Sequence, residues 1–528
     1  MHLATMLELA AERHPEAEAI VDERGRYTYA RWHERIEHVA AGLAELGVRA
    51  GEFVACVTRN SEAMATVYFA LHRLGAAAVP LNFRWSAGEL AYALRDSGAV
   101  GVLYEQTTAG RVAEALGQAP GCRIRVQAGP AADGAVSFAQ LVASGARRPT
   151  AARRDDDINV MLYTSGTTGR PKGVPRTHRN DYAATVAMII EHGLGRFERT
   201  LGVMPLYHTM GLHSLLSMVF LNGAFIVMSQ FDPDAALRLV ARERIGSLYL
   251  VPTLFHELVR RCAEVPADLS CVRKLAFAGA PMTSTLVRAL IDRFRPETFV
   301  NHYGSTEVYI HSTNARLEAS PTSAGRAAFH TRLRVVAADP DRRVGPEEVV
   351  PQGEVGEIIV DARSPEAFGG YHNRPEATAR ALRDGWYFTG DTGYLDDRGE
   401  IHVTGRVDDM IITGGENVHP VEVEDVLASH PGVLDVAVVG LPDEKWGQIV
   451  AAFVVPAGEA PTPEELDRLC LESRRLAPFK RPRRYVFVRT IPRTASGKIL
   501  RRELREGRYE PVAPMEEQAG ARPQTTSD

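Results

Sequence analysis

The sequence predicts an α/β protein: a large N-terminal α/β body of several subdomains, residues 1–405, followed by a small C-terminal α+β domain, residues 406–510. Three observations carry this. The chain is 528 residues long, which calls for roughly two to four folding units rather than one core. From residue 51 onward, short β-rich runs alternate with amphipathic stretches, the pattern of βαβ units on a parallel sheet. After residue 405 the pattern changes to longer strands and capped helices.

In the body, residues 53–58, 78–81 and 100–104 read as strands, and 61–74 and 86–96 as helices. Ser61 and Ser86 stand where helix N-caps belong, just ahead of acidic residues and a periodic apolar face. Further strands are expected at 159–163, 199–204, 224–228, 247–251, 274–278 and 298–301. Residues 215–228 form the longest apolar stretch, interrupted by Asn222-Gly223 and short of the roughly 20 residues that span a bilayer, so it reads as buried core. In the small domain, 420–428 reads as helix and 433–439, 449–455 and 485–488 as strands. Thr462-Pro463-Glu464-Glu465 opens a helix with capping-box spacing. Residues 511–528 hold few large apolar side chains and read as a disordered tail.

Composition excludes more than it identifies. Hydrophobic residues make up 45% and charged residues 24%, as in an average soluble protein. The net charge of −5 offers no general attraction to nucleic acid or to anionic membranes. The five cysteines are scattered without a Cys-x-x-Cys pair, which argues against a disulfide framework or a zinc site and for a cytoplasmic location. The first residues lack the basic start of a secretory signal.

The segment Thr164-Ser165-Gly166-Thr167-Thr168-Gly169, followed by Lys172, is built to wrap an anion. Glycines let main-chain N–H groups converge, hydroxyls add donors and lysine adds positive charge. A Gly/Ser-rich surface turn is the plain alternative. The spacing is not that of a Walker A loop.

Residues 163–173 also resemble the signature of the adenylate-forming superfamily, which includes acyl-CoA synthetases, peptide-synthetase adenylation domains and luciferases. Tyr303-Gly304-Ser305-Thr306-Glu307, Gly385-Trp386-Tyr387-Phe388-Thr389-Gly390-Asp391, Gly405-Arg406-Val407-Asp408-Asp409 and Pro492-Arg493-Thr494-Ala495-Ser496-Gly497-Lys498 match further family motifs in the family's order. Met204-Pro205-Leu206-Tyr207-His208 and residues 407–420 most resemble aryl-CoA ligases of the chlorobenzoate type. The resemblance implies an AMP-forming acid–CoA ligase. A carboxylate attacks the α-phosphate of ATP and expels pyrophosphate, and a thiol then displaces AMP. Both steps build negative charge, so positioning and fixed positive charge should carry catalysis.

Residue roles follow from the same resemblance. Glu307 would bind Mg²⁺ bridging the phosphates, with Thr164 nearby. Tyr303 and the Gly279-Ala280 turn would receive adenine, Gly304, Ser305 and Thr306 would line the nucleotide, and Asp391 and Arg406 would hold the ribose. Lys498 would contact the carboxylate and α-phosphate. The small domain would be mobile, rotating between half-reactions about Asp408. In the rotated state Gly414-Gly415-Glu416-Asn417 would line the thiol tunnel. For coenzyme A, Trp446 and Phe479 would sandwich the adenine, Arg84 would contact a phosphate, and Lys480 and Arg481 would be further CoA contacts. By its residues alone the basic run 474–505 reads first as a solvated face, with a nucleic-acid patch as a further alternative.

His208 would gate the acyl carboxylate, and Ala187, Thr209, Met210, Tyr249, Ala280, His302, Tyr309 and Ile310 would form the acyl pocket. His302 and Tyr309 replace aliphatic residues of the chlorobenzoate pattern and add hydrogen-bonding groups, while Ala187 enlarges the space. A substituted or hydroxylated aryl acid of benzoate or naphthoate type is expected. A medium-chain fatty acid is the competitor, and His302 argues against it, because a polar group facing a buried alkyl chain loses its hydration. Rival readings are an adenylating enzyme that loads a carrier protein, a luciferase-like oxygenase, and a nucleotide-binding scaffold. The expected partners are the acid, ATP and CoA, with neither nucleic acid nor a membrane span, and a homodimer is left open.

Overall fold

The alternation read over residues 53–104 folds as parallel strands joined by helices. The computed structural model describes residues 1–131, 134–143, 154–164, 170–339, 342–414, 416–473, 476–493 and 499–512. They form two units, Met1–Leu333 with Val360–Phe388, and Arg334–Ile359 with Thr389–Asp528.

The first unit holds two large sheets. In the seven-stranded sheet the order is Val136–Ser137, Ile124–Gln127, Gly101–Tyr104, Phe53–Val57, Ala77–Pro80, Ile158–Thr164 and Lys172–Thr177. All neighbours are parallel except the last pair. The nine-stranded sheet runs Arg326–Ala327, Ser312–Asn314, Thr298–Tyr303, Lys274–Ala278, Ser247–Leu250, Arg199–Gly202, Ala224–Val227, Glu18–Asp22 and Gly25–Thr28. Ala77–Pro80, Gly101–Tyr104, Ala224–Val227 and Ser247–Leu250 are buried at every position, as expected of parallel strands covered on both faces.

Local signals in the sequence are realised. Ser61 caps Glu62–Leu74 by accepting from the Met64 N–H. Ser86 and Glu89 form a reciprocal capping box on Ala87–Ser97, and Thr462 and Glu465 form one on Pro463–Glu472. The apolar stretch 215–228 is divided between the helix Thr209–Leu221, buried over most of its circumference, and the strand Ala224–Val227. No helix of the described residues is long and apolar enough to cross a membrane.

Residues 1–50, read only for a signal segment, hold regular structure: Leu3–Arg13 and Tyr29–Glu45 are helices, and Glu18–Asp22 pairs in parallel with Ala224–Val227. Nothing local to Glu18–Asp22 names a partner some 200 residues downstream.

The second unit contains a sheet ordered Glu416–Val418, Ile411–Thr413, Gly447–Pro456, Val433–Asp443, with Arg484–Phe487 paired in parallel to Gly447–Pro456. Helices Pro420–Leu427 and Pro463–Glu472 bury Val423, Leu427, Leu466 and Cys470 against Val438, Ala452 and Val454. Pro511 bridges to Val488 and the Val512 N–H donates to the Phe487 carbonyl. The rest of the expected tail lies outside the described residues.

A buried ion pair anchors the first unit. Arg176 and Asp181 are both fully buried, with Arg176 Nε 2.5 Å from Asp181 Oδ1. Asn159 Nδ2 donates to Asp181 Oδ2 at 3.0 Å, and His213 Nε2 lies 3.4 Å from Oδ1. Burial alone would raise the Asp181 carboxyl, but Arg176 and His213 hold it well below the usual carboxylate range. Asp181→Ala leaves the guanidinium buried without its counter-charge and is expected to cost about 3–5 kcal/mol in urea unfolding. The double variant Arg176→Leu/Asp181→Leu should cost markedly less.

Candidate active site

Four neighbouring parallel strands, Arg199–Gly202, Ser247–Leu250, Lys274–Ala278 and Thr298–Tyr303, end at one edge of the nine-stranded sheet. Ligands of open α/β sheets bind beyond such carboxyl ends. His208, Thr209 and Met210 follow the first strand, Tyr249 lies near the end of the second, Gly279 and Ala280 follow the third, and His302 and Tyr303 close the fourth. The sheet thus gathers residues separated by almost a hundred positions. His208 is the N-cap residue of Thr209–Leu221, half-buried, with its ring 4.6 Å from that of Tyr207. Ala187 and Ile310 are fully buried.

Between Thr298–Tyr303 and Ser312–Asn314 the chain leaves the sheet, and its main-chain groups need other partners. Arg176 Nη1 donates to the Thr306 carbonyl at 2.8 Å, Thr331 Oγ1 to the Ile310 carbonyl at 2.7 Å, and the Ile310 N–H to Glu366 Oε2 at 3.1 Å. The Phe368 N–H donates to the Glu307 carbonyl at 2.8 Å. Gly304 is required by contact: a Cβ there would lie 1.8 Å from the Tyr309 carbonyl oxygen. Ser305 turns the chain through its N–H to the Val308 carbonyl at 3.0 Å, and its Oγ accepts from the Val308 N–H at 3.2 Å.

Glu307 is buried, and its Oε1 accepts from the Tyr371 hydroxyl at 2.7 Å. The face of the same tyrosine lies 4.7 Å from Lys172 Nζ. Lys172 stands opposite Thr164 in the antiparallel pair Ile158–Thr164 and Lys172–Thr177, so the two ends of the Ser/Thr/Gly run meet across one strand pair. Ser165, Gly166, Thr167, Thr168 and Gly169 themselves lie outside the described residues.

Tyr249, His302 and Tyr309 form a buried hydrogen-bonded chain. His302 Nε2 is 3.1 Å from the Tyr309 carbonyl, which can only accept, so Nε2 carries the hydrogen. Burial lowers the His302 pKa to about 3, so the ring is neutral and Nδ1 accepts. The Tyr249 hydroxyl reaches Nδ1 at 3.0 Å and takes a hydrogen bond from the Tyr309 hydroxyl at 3.3 Å. His192 Nε2 is 3.2 Å from the same Nδ1, and Tyr309 stacks on His213 with ring centroids 4.0 Å apart.

In the second unit, Asp391 and Arg406 face each other across an antiparallel pair, with Arg406 Nη1 2.6 Å from Asp391 Oδ1. Asp408 lies in the short helix Val407–Asp409. Gly414, at φ 60°, donates its N–H to the Trp446 carbonyl at 2.9 Å, and a Cβ on it would meet the indole at 2.8 Å. Trp446 and Phe479 are exposed at 37% and 40%, high for aromatic side chains. Arg483 lies over the Trp446 ring at 5.2 Å. Lys480 and Arg481, expected as CoA contacts, pair with Glu422 at 2.7 Å and Asp467 at 2.9 Å. Arg84, in the first unit, is exposed beside Phe83. Lys498 and Gly415 lie outside the described residues.

A family model for AMP-binding enzymes matches residues 7–372, and one for the AMP-binding enzyme C-terminal domain matches 422–498. The chain belongs to the AMP-binding enzyme family. The adenylate-forming family read from the five motifs is therefore the correct one. Among AMP-binding enzymes, 4-chlorobenzoate–CoA ligase of Arthrobacter sp is 38% identical over 502 residues, 94% of this chain and 93% of that enzyme. Feruloyl-CoA synthase of Amycolatopsis sp is 39% identical over 501 residues, covering 94% and 96%. The crystal structure of an anthranilate CoA ligase with anthranoyl-AMP superposes with a TM-score of 0.87 at 27% identity, covering 96% and 97%. The large α/β body with a smaller C-terminal domain is the architecture of these AMP-binding enzymes.

Three residues of the first unit were not found in the sequence. Tyr371 follows Gly369-Gly370, which signals only a turn. Arg176 sits in a strand without any motif, and Glu366 reads as a surface charge although it is fully buried. Their contacts arise from distant chain segments.

Because His302 stays neutral when folded but would protonate near its ordinary value of 6.5 when unfolded, the unfolded chain binds the extra proton between pH 6.5 and about 3. Stability therefore falls on acidification through that window. Urea unfolding at pH 7.5 and pH 5 should show His302→Gln losing about 2 kcal/mol less than the parent protein.

Proposed function

We propose that the protein is an ATP-dependent ligase that converts a substituted or hydroxylated aromatic carboxylic acid of benzoate or naphthoate type first to an acyl-AMP and then to an acyl-CoA. The observation that carries the proposal is the meeting of Glu307 and Lys172 on one tyrosine, a carboxylate for a cation and an ammonium for phosphate, in a chain whose relatives are named for aryl acids.

In the first half-reaction an acid oxygen attacks the α-phosphorus of ATP, a P–O bond forms, and the bond to the β-phosphate oxygen breaks to release pyrophosphate. Lys172 and Lys498 supply positive charge to the phosphates and the incoming carboxylate. Glu307 Oε and Thr164 Oγ1 are hard oxygen donors of the kind Mg²⁺ takes. Held there, Mg²⁺ would neutralise phosphate charge. Tyr303 and Gly279-Ala280 are the proposed adenine contacts, and Asp391 with Arg406 the ribose contacts. In the second half-reaction the CoA sulfur attacks the acyl carbon and AMP leaves. Trp446, Phe479 and Arg84 are the proposed CoA contacts and Asp408 the proposed hinge. A cytoplasmic location, where ATP and CoA are abundant, and a homodimer belong to the same proposal.

Pyrophosphate release over benzoates, hydroxybenzoates, naphthoates and alkanoates tests the acid. Aryl acids should lead, and a preference for medium-chain alkanoates would overturn the aryl reading. Thioester formation with CoA, against a carrier-protein thiol, tests the acceptor. Lys498→Ala should slow adenylation by about 10² or more while sparing thioester formation from supplied acyl adenylate. Unchanged pyrophosphate release in that variant would remove Lys498 from the mechanism.

A further inference from the structure

Tyr371 is held in place by its own main chain. Its N–H donates to Thr378 Oγ1 at 2.9 Å, and its carbonyl accepts from the Arg374 N–H at 3.3 Å. The next residue, His372, donates its N–H to the Gly173 carbonyl at 2.9 Å, which ties this turn to the strand beginning at Lys172. Phe368 packs edge-on against the Tyr371 ring at 5.0 Å, and the Phe368 N–H holds the Glu307 carbonyl. One short segment, residues 368–372, therefore grips both the strand carrying Lys172 and the turn carrying Glu307.

The side chain uses its two chemically different parts. The hydroxyl edge donates to Glu307 Oε1 at 2.7 Å, and the electron-rich face receives Lys172 Nζ at 4.7 Å. We infer that Tyr371 is a positioning residue for adenylation: its hydroxyl aims the Glu307 carboxylate for a divalent cation, and its ring aims the Lys172 ammonium for the triphosphate. This rests on the proposed roles of Glu307 and Lys172. Tyr371 touches neither the acid nor the reacting atoms in this scheme and acts through those two groups.

The two parts can be removed separately. Tyr371→Phe keeps the ring face and deletes the hydroxyl, whereas Tyr371→Leu deletes both. Tyr371 is only half-buried, so both variants should fold, checked by thermal unfolding. Calorimetric titration with ATP, in Mg²⁺ and in EDTA, separates the contributions. Tyr371→Phe should bind ATP roughly tenfold more weakly than the parent in Mg²⁺ and equally well in EDTA. Tyr371→Leu should bind more weakly in both. Mn²⁺ bound in the presence of ATP, followed by electron paramagnetic resonance, should fall in Tyr371→Phe without any turnover, and the KM for the acid should stay at its parent value. A Tyr371→Phe variant that keeps the full Mg²⁺-dependent gain in ATP affinity, or loses affinity equally in EDTA, overturns the inference. A parent protein with no Mg²⁺-dependent gain would instead overturn the role given to Glu307.

Discussion

The turn between Thr298–Tyr303 and Ser312–Asn314 can hold its shape only if other elements supply the hydrogen bonds that the sheet does not. Arg176, Thr331, Glu366 and the Phe368 N–H meet its main-chain groups. Arg176 can do this because Asp181 offsets the cost of burying a guanidinium. The buried pair thus does more than join a strand to a helix. It sets the backbone from which Tyr303, Glu307, Tyr309 and Ile310 project, and a shift there would move the proposed nucleotide and acyl contacts together.

Around that turn, polar groups are used in two distinct ways. His302, Tyr249 and Tyr309 satisfy one another in a buried, hydrogen-bonded chain, so their hydrogen-bonding capacity is largely internal. Tyr371, by contrast, bridges two charged groups of opposite sign, Glu307 and Lys172. The second unit separates its charges similarly. Among the described residues of the basic run 474–505, Lys480 pairs with Glu422, Arg481 with Asp467, Arg493 with Asp435 and Arg501 with Glu424. Trp446 is 37% exposed and has Arg483 and Lys445 over its ring.

Much of the architecture was legible because it depends on neighbours in sequence. The caps at Ser61, Ser86 and Thr462 are contacts within a few residues, and the strands from 199 to 303 announce themselves by short β-rich runs between helical stretches. The first fifty residues were not read this way. Glu18–Asp22 is a strand because of Ala224–Val227, a pairing that no local pattern encodes. Tyr371 and Arg176 escaped for the same reason, since their partners are separated from them by 64 and 130 positions.

By itself the sequence determined the family and the chemistry it implies, because five ordered motifs each carry their residues within a span of a few positions. It also determined the α/β class, through periodicity. Only the tertiary structure decided which polar groups face one another: that His302 spends both ring nitrogens on buried partners, that Lys480 and Arg481 are paired, and that one tyrosine joins Glu307 to Lys172. The reason is physical. A motif specifies the chemical groups present, whereas burial and hydrogen-bond partners are set by chain segments brought together only on folding.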